Sequence, residues 1–263
     1  MQKIIVIKFG GSLFTNDRNR QQFWQDVKNL HSFGYKIVIV HGGGKEISFW
    51  LDKVGCETKF VNGLRFTDEK SLEIVEMVLA GKINKQLTSE LSSLDVLCAG
   101  ISGRDSNLVI AKKMPELELG LVGSPFKVNK QFLKAILDAG IIPIISPVSS
   151  DGNGNALNVN ADEMADVLAI NLKAETLVFM TDTKGVMADI NDETSLIKIL
   201  DKKKADELIK DGVIHGGMIP KINSAFRALD LGVGEINIVD GRECGVINKI
   251  FGKNEILGTR IIK

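Results

Sequence analysis

The feature that most restricts this chain is a pattern that occurs twice near its start. A nearly all-apolar, β-branched run stops in a cluster of glycines, first in "VIKFGGSLF" (Val6 to Phe14) and again in "VIVHGGGKE" (Val38 to Glu46). Runs that are apolar throughout, rather than alternating, belong to strands covered on both faces of a sheet. The two strands span Lys3 to Phe9 and Lys36 to Val40, and further strands are read at 96–99, 141–146, 176–180, 235–239 and 259–262. Helical patterns lie between them at 18–33, 45–54, 68–91, 130–139, 161–172, 203–210, 220–231 and 244–251. This alternation predicts an α/β fold with a mainly parallel central sheet and right-handed crossovers. Thr67 or Asp68 is placed to cap the helix that follows. "AGISGRDSNLVIAKKM" reads as a hairpin, and Pro143 points to an edge or irregular strand. "SSDGNGNALN" reads as a loop, not a domain break.

Composition narrows the partners. Lys+Arg and Asp+Glu both number 33 in 263 residues, so the net charge is zero. That balance argues against a general nucleic-acid or membrane-surface binder. The cysteines, Cys56, Cys98 and Cys244, are dispersed, which argues against a disulfide framework or zinc site and for small core hydrophobes. No apolar run reaches the roughly 18 residues of a membrane span, and the start carries no signal-peptide pattern. A cytoplasmic setting is the expectation.

Glycines after strands put backbone N–H groups at the carboxyl edge of the sheet, where open α/β folds bind ligands. Without a Cβ the backbone can approach an anion, and a following helix adds its positive end. "HGGGKEI" fits this, although a ligand-free tight turn has the same spelling. The P-loop, the dinucleotide fingerprint and the protein-kinase motif set are all absent. Phosphoryl transfer on another architecture would still need cations and fixed donors. Lys8 ends the first strand beside Gly10 and Gly11, and Lys221 follows a glycine pair in "HGGMIPKI" (His215 to Ile222). In "NALNVNADEMADVLA", Asn158, Asn160 and Asp162 alternate and would share one face of an extended segment. Helix capping would account for one of the three.

Taken together, "IKFGGS", "IVHGGGKEI", "NGLRFT", "LAGKINK", "LNVNADEMA", "TDTKGV" and "GGMIPKI" resemble the amino acid kinase family across essentially the whole chain, and within it the branch acting on N-acylated glutamate. The resemblance implies a three-layer αβα sandwich. It also implies one domain over 1–263, with an amino-acid and dimerisation lobe to about residue 172 and a nucleotide lobe after it. The implied reaction moves the γ-phosphoryl of ATP to the side-chain carboxylate of N-acetyl-L-glutamate, in arginine biosynthesis, with Mg²⁺ carried on the ATP phosphates. Carried over residue by residue, Lys8 and Lys221 flank the migrating phosphoryl, and Asp162 holds the two lysines. Gly11, Gly43 and Gly44 donate backbone N–H groups. Arg65 and Asn158 grip the α-carboxylate, and Asn160 completes that wall. The ATP site takes in Lys8, Gly10, Gly11, Lys221, the segment Thr181, Asp182, Thr183, Lys184, Gly185 and Val186, and the segment Val213, Ile214 and His215.

Arginine-inhibited members of the family carry an extra N-terminal helix that builds a hexamer. With a first strand at Lys3, a homodimer without arginine inhibition is expected here. N-succinylglutamate stays open as substrate; residues near Phe14, Phe60 and Phe66 could shape the acyl pocket, but a core role is the expectation for each. Carbamate, aspartate, glutamate-5- and uridylate kinases share the fold, and a catalytically silent ligand sensor is the reading from another class. Because Lys8, Asp162 and Lys221 are all present, Lys8→Ala and Lys221→Ala are each expected to cut kcat far more than they raise KM. A wild-type kcat in either variant overturns the assignment.

Overall fold

The computed structural model describes residues 3–11, 17–114, 118–189, 192–214 and 218–263. In chain order the elements are β1 (Ile4–Phe9), α1 (Asp17–Ser32), β2 (Lys36–His41), α2 (Gly44–Lys53), β3 (Phe60–Val61), β4 (Leu64–Arg65) and α3 (Glu69–Glu76). A π-helical segment (Met77–Ile83) leads into α4 (Asn84–Ser92), β5 (Cys98–Gly103), β6 (Val109–Lys113), β7 (Val122–Val128), α5 (Lys130–Asp138), β8 (Ile142–Ser150) and β9 (Ala156–Val159). The chain continues through α6 (Ala161–Leu172), β10 (Thr176–Thr181), β11 (Ile199–Leu200), α7 (Lys202–Lys210), α8 (Met218–Asp230), β12 (Glu235–Asp240), α9 (Val246–Lys253) and β13 (Thr259–Ile261).

These elements form two compact units, one of Met1–Ile37 with Ala169–Lys263 and one of Val38–Leu168. The opening strand and helix therefore group with the C-terminal segment. The reason is β1, which pairs in parallel with β10 (Ile5↔Thr176 through Lys8↔Phe179). β10 pairs in parallel with β12, and β13 closes the other side antiparallel to β12. Phe9 at the end of β1 packs against Phe23 and Trp24 of α1, with ring centroids 4.9 and 5.7 Å away. The buried Asp26 of α1 accepts from Asn248 N (3.2 Å), which ties α1 to α9.

In the second unit β8 is the central strand, buried at every one of its nine residues. β2 and β5 pair with it in parallel, and β9 folds back antiparallel. Pro143 thus lies in a central strand rather than at an edge. Ile142 N donates to Leu97 O on the β5 side (2.9 Å), so the next nitrogen faces β2. There the recorded ladder begins at Ile144, one residue beyond the proline that has no N–H to give it. The hairpin expected in 99–114 does not form: β5 pairs with β8, and β6 pairs with β7. Asp68, not Thr67, caps α3 by accepting from Ser71 N (2.7 Å). The cysteines are free and none is fully buried, Cys244 being exposed, so they are not the core residues expected.

The π-helical turn interrupts what the apolar periodicity predicts as one helix over 68–91, and it brings Asn84 under β2. His41, at the end of β2, is completely buried. Its Nδ1 lies 3.0 Å from Gly42 O, so Nδ1 carries the proton and donates. Nε2 then accepts from Asn84 Nδ2 (3.2 Å), which also donates to Ile144 O (2.8 Å). Burial, partly offset by the bond to Gly42, pulls the His41 pKa from 6.5 to about 4. A histidine kept neutral in the fold contributes stability that is present above its unfolded pKa. As the pH falls from 6.5 towards 4, the unfolded chain gains a proton that the native state refuses. The urea midpoint of the wild type is expected to drop across that window by the equivalent of on the order of 3 kcal/mol relative to His41→Gln, which cannot titrate. Parallel pH profiles would remove His41 as the cause.

Candidate active site

The two glycine loops have different physical reasons for their glycines. At Gly10 a Cβ would overlap the backbone carbonyl oxygen of Met180 in β10. At Gly43 it would overlap the Ile83 and Leu79 side chains of the π-helical turn. Packing requires glycine at Gly10, where the obstacle is backbone, whereas at Gly43 it is the ends of two flexible side chains. At Gly11 and Gly44 nothing lies within 4 Å of the place a Cβ would take, so their backbone faces open space. α2 begins at Gly44, and its N-cap, Gly43, supplies no side-chain cap. The first-turn N–H groups therefore stand without a capping side chain at the positive end of a ten-residue helix. That is an arrangement suited to an anion.

Within the same unit, Arg65 at the end of the β3–β4 hairpin reaches the glycine loop directly. Its Nη2 donates to Gly44 O (2.9 Å) and to Ser48 Oγ (2.8 Å), and the Phe60 ring lies 4.8 Å from its guanidinium carbon. Burial pushes the guanidinium pKa down from its ordinary value, but a guanidinium retains its charge. Asn158 stands on β9 and donates through Nδ2 to Thr67 Oγ1 (3.0 Å). Thr67 Oγ1 in turn donates to Arg65 O (2.9 Å). The structure thus brings Gly44, Arg65 and Asn158 into one connected group.

Asn160 and Asp162 do not share an extended face with Asn158. β9 stops at Val159 and α6 starts at Ala161, so Asn160 is the helix cap, its Oδ1 accepting from Asp162 N (2.7 Å). Asp162 stands in the first turn of α6, where the helix dipole favours a carboxylate. α2 is braced separately: the Glu46 carboxylate takes bonds from Lys82 and from Trp50 Nε1 (2.8 Å). The Lys82 ammonium first, then the indole N–H, holds the Glu46 carboxyl below its usual range.

In the other unit Lys8 is half-buried near the end of β1, and Lys221 is exposed in the first turn of α8, which begins at Met218. The segment 182–186 follows β10 as a tight turn. Thr183 N donates to Thr181 Oγ1 (3.2 Å), and Val186 N donates to the buried Thr259 Oγ1 (2.8 Å). Gly185 has a φ of 144°, and a Cβ there would lie 2.7 Å from Thr259 Oγ1. Val213 N and Ile214 N both donate to Leu208 O, 2.9 and 3.0 Å away. Phe14 and His215 lie outside the described residues. Ser48, Thr58, which accepts from Arg65 Nη1 (3.4 Å), and Thr259 escape the sequence reading, while Thr67 and Phe60 enter it only as a cap candidate and as a pocket or core candidate. The sequence signal for Thr67 and Phe60 is their place in or beside "NGLRFT".

Residues 3–240 match the model of the amino acid kinase family. The chain is 42% identical to acetylglutamate kinase of Brachyspira hyodysenteriae over 99% of this chain and 91% of that one. It is 45% identical to acetylglutamate kinase of Caldanaerobacter subterraneus over 99% and 88%. A solved structure from Streptococcus mutans superposes with a TM-score of 0.82 at 31% identity, covering 100% of this chain and 99% of that one. Giardia lamblia carbamate kinase, bound to AMP-PNP, shares the fold at 16% identity with a TM-score of 0.72, covering 100% and 99%. The chain belongs to the amino acid kinase family.

The glycine assignments are separable by experiment. Gly10→Ala is expected to lower the melting temperature by several degrees, through overlap with the Met180 carbonyl. Gly44→Ala is expected to leave it within about 2 °C and to lower kcat by roughly tenfold or more. Differential scanning fluorimetry beside initial rates distinguishes them. Equal melting losses in both would show that Gly44 too is a packing glycine.

Proposed function

We propose that this chain transfers the γ-phosphoryl group of ATP to the γ-carboxylate of N-acetyl-L-glutamate, giving N-acetylglutamyl 5-phosphate and ADP, a step of arginine biosynthesis. The observation that carries it is likeness to acetylglutamate kinases above 40% identity over nearly the full chain. The connected group of Gly44, Arg65 and Asn158 supports an anionic, amino-acid-like acceptor.

In the reaction a carboxylate oxygen of the acceptor forms the new P–O bond, and the bond from the γ-phosphorus to the β–γ bridging oxygen breaks, leaving ADP. We assign Lys8 and Lys221 to neutralise charge on the migrating group, and the N–H groups of Gly11 and Gly44 to donate to its oxygens. Asp162 is the carboxylate assigned to hold the lysines. Gly43, Arg65, Asn158 and Asn160 belong to the acceptor side. Gly10, 181–186, 213–215 and the two lysines belong to the ATP side. Among the described residues no group of three or more His, Cys, Asp or Glu side chains could hold a metal ion. The Mg²⁺ of the reaction would be held by the ATP phosphate oxygens, a hard-oxygen set suited to it. No described helix is long and apolar enough to cross a membrane. A homodimer is the proposed assembly.

An ATP-dependent hydroxamate assay against N-acetylglutamate, N-succinylglutamate, free glutamate and aspartate tests the reading. Turnover is expected to be highest with N-acetylglutamate. Preference for the succinyl compound would reassign the acyl group. Activity with none of the four would favour the ligand-sensor reading.

A further inference from the structure

Thr67 has a hydroxyl with one proton and two obligations. The residue is 0% exposed. Its backbone is clamped on both sides by the segment before β7, Thr67 N donating to Leu119 O (3.1 Å) and Leu121 N donating to Thr67 O (2.7 Å). Asn158 N donates to Leu121 O (2.9 Å), so the same segment holds the backbones of both Thr67 and Asn158. On this platform Thr67 Oγ1 lies 2.9 Å from Arg65 O and 3.0 Å from Asn158 Nδ2. A carbonyl can only accept, so the hydroxyl proton is committed to Arg65 O. Towards Asn158 the hydroxyl can then only accept, and the amide must present its NH₂ end there.

We infer that Thr67 is a positioning residue for the acceptor's α-carboxylate: it sets the amide orientation of Asn158 and anchors the main chain of Arg65, so that both residues offer donors to one carboxylate. The inference rests on the acceptor reading proposed above. An Asn side chain can bind with either end, and the two ends have opposite consequences for an anion. With the NH₂ end held towards Thr67, its second N–H remains a donor on that side of the amide. With the amide turned over, the carbonyl oxygen takes that place and repels a carboxylate. Loss of the Thr67 hydroxyl removes the bond that distinguishes the two. Every described bond of Thr67 is to Arg65, Asn158 or the 119–121 segment, and none is to 181–186 or 213–214. The effect should therefore fall on one substrate.

The test is steady-state kinetics on the purified full chain, with N-acetyl-L-glutamate varied at saturating ATP and ATP varied at saturating N-acetyl-L-glutamate. Thr67→Val, which keeps the shape and removes the hydroxyl, is expected to raise KM for N-acetyl-L-glutamate by about ten- to a hundredfold, the range for a hydrogen bond to a charged group. KM for ATP is expected to stay within about twofold. Thr67→Ser, which keeps the hydroxyl, is expected to restore KM for the acceptor to within about threefold of wild type. In an Asn158→Ala background, Thr67→Val is expected to add little to the rise already present. Thr67→Ala is measured alongside, with melting curves, and carries the same readings if the valine variant does not melt cooperatively. A wild-type acceptor KM in the valine and alanine variants overturns the inference. So does an equal rise in both KM values, a serine variant as impaired as the valine one, or full additivity with Asn158→Ala. An active wild type with unaffected variants overturns this inference alone, whereas a wild type inactive on every carboxylate acceptor overturns the proposed reaction and this inference with it.

Discussion

The pairing of β1 with β10 is the constraint on which the first unit depends. It joins residues 5–8 to residues 176–179, more than half the chain away. The two backbones run so close at the end of β1 that Gly10 has no room for a Cβ beside the Met180 carbonyl. Lys8 is carried on the same strand, and Thr181 and the turn after it leave the partner strand at the same end. A parallel ladder brings like ends together, so the Lys8 cation and the turn after Thr181 arrive at one sheet edge. The aromatic cluster of Phe9, Phe23 and Trp24 then fastens α1 against the strand.

In the second unit the organising groups are polar and buried. His41, Asn84, Thr67 and Arg65 are each less than a tenth exposed. Buried polar atoms cost free energy unless they are bonded, and here the bonds that meet that cost also aim the groups. His41 holds Gly42, Arg65 holds Gly44, and Thr67 connects Arg65 to Asn158. The π-helical turn brings Ile83 and Leu79 against Gly43 and Asn84 against His41, so the helix irregularity and the glycine loop are packed as one piece. π-helical turns are uncommon and recur near functional sites.

Much of this is legible along the chain. The unbroken apolar runs reveal the strands, because a strand covered on both faces has no polar side to show its period. The glycine clusters mark both loops. They do not reveal which glycine serves packing and which faces open space, since that depends on a neighbouring strand or helix turn. Pro143 is misplaced for the same reason: a proline is excluded from a ladder only on the side where a donor is needed, and that side is set by the partner's register. Asn158, Asn160 and Asp162 stand out as a group, but their spacing does not tell them apart. The strand ends between the first and second, so one is a strand amide bonded to Thr67, one a cap and one a carboxylate in the first helical turn.

By itself the sequence determined the fold class and the candidate loops and cations, because glycine, lysine and β-branched residues carry their conformational and electrostatic properties wherever they stand, and its motifs resembled one family closely enough to suggest the rest of the site. Tertiary structure alone decided the roles that need a partner. The grouping of the opening strand with the C-terminal segment, the Asn84 amide that meets His41 and the Asn158 amide that meets the Thr67 hydroxyl rest on pairings and hydrogen bonds between residues tens to hundreds of positions apart. A hydrogen bond is specific only at about 3 Å, and no local pattern of residues encodes which distant group will arrive at that distance.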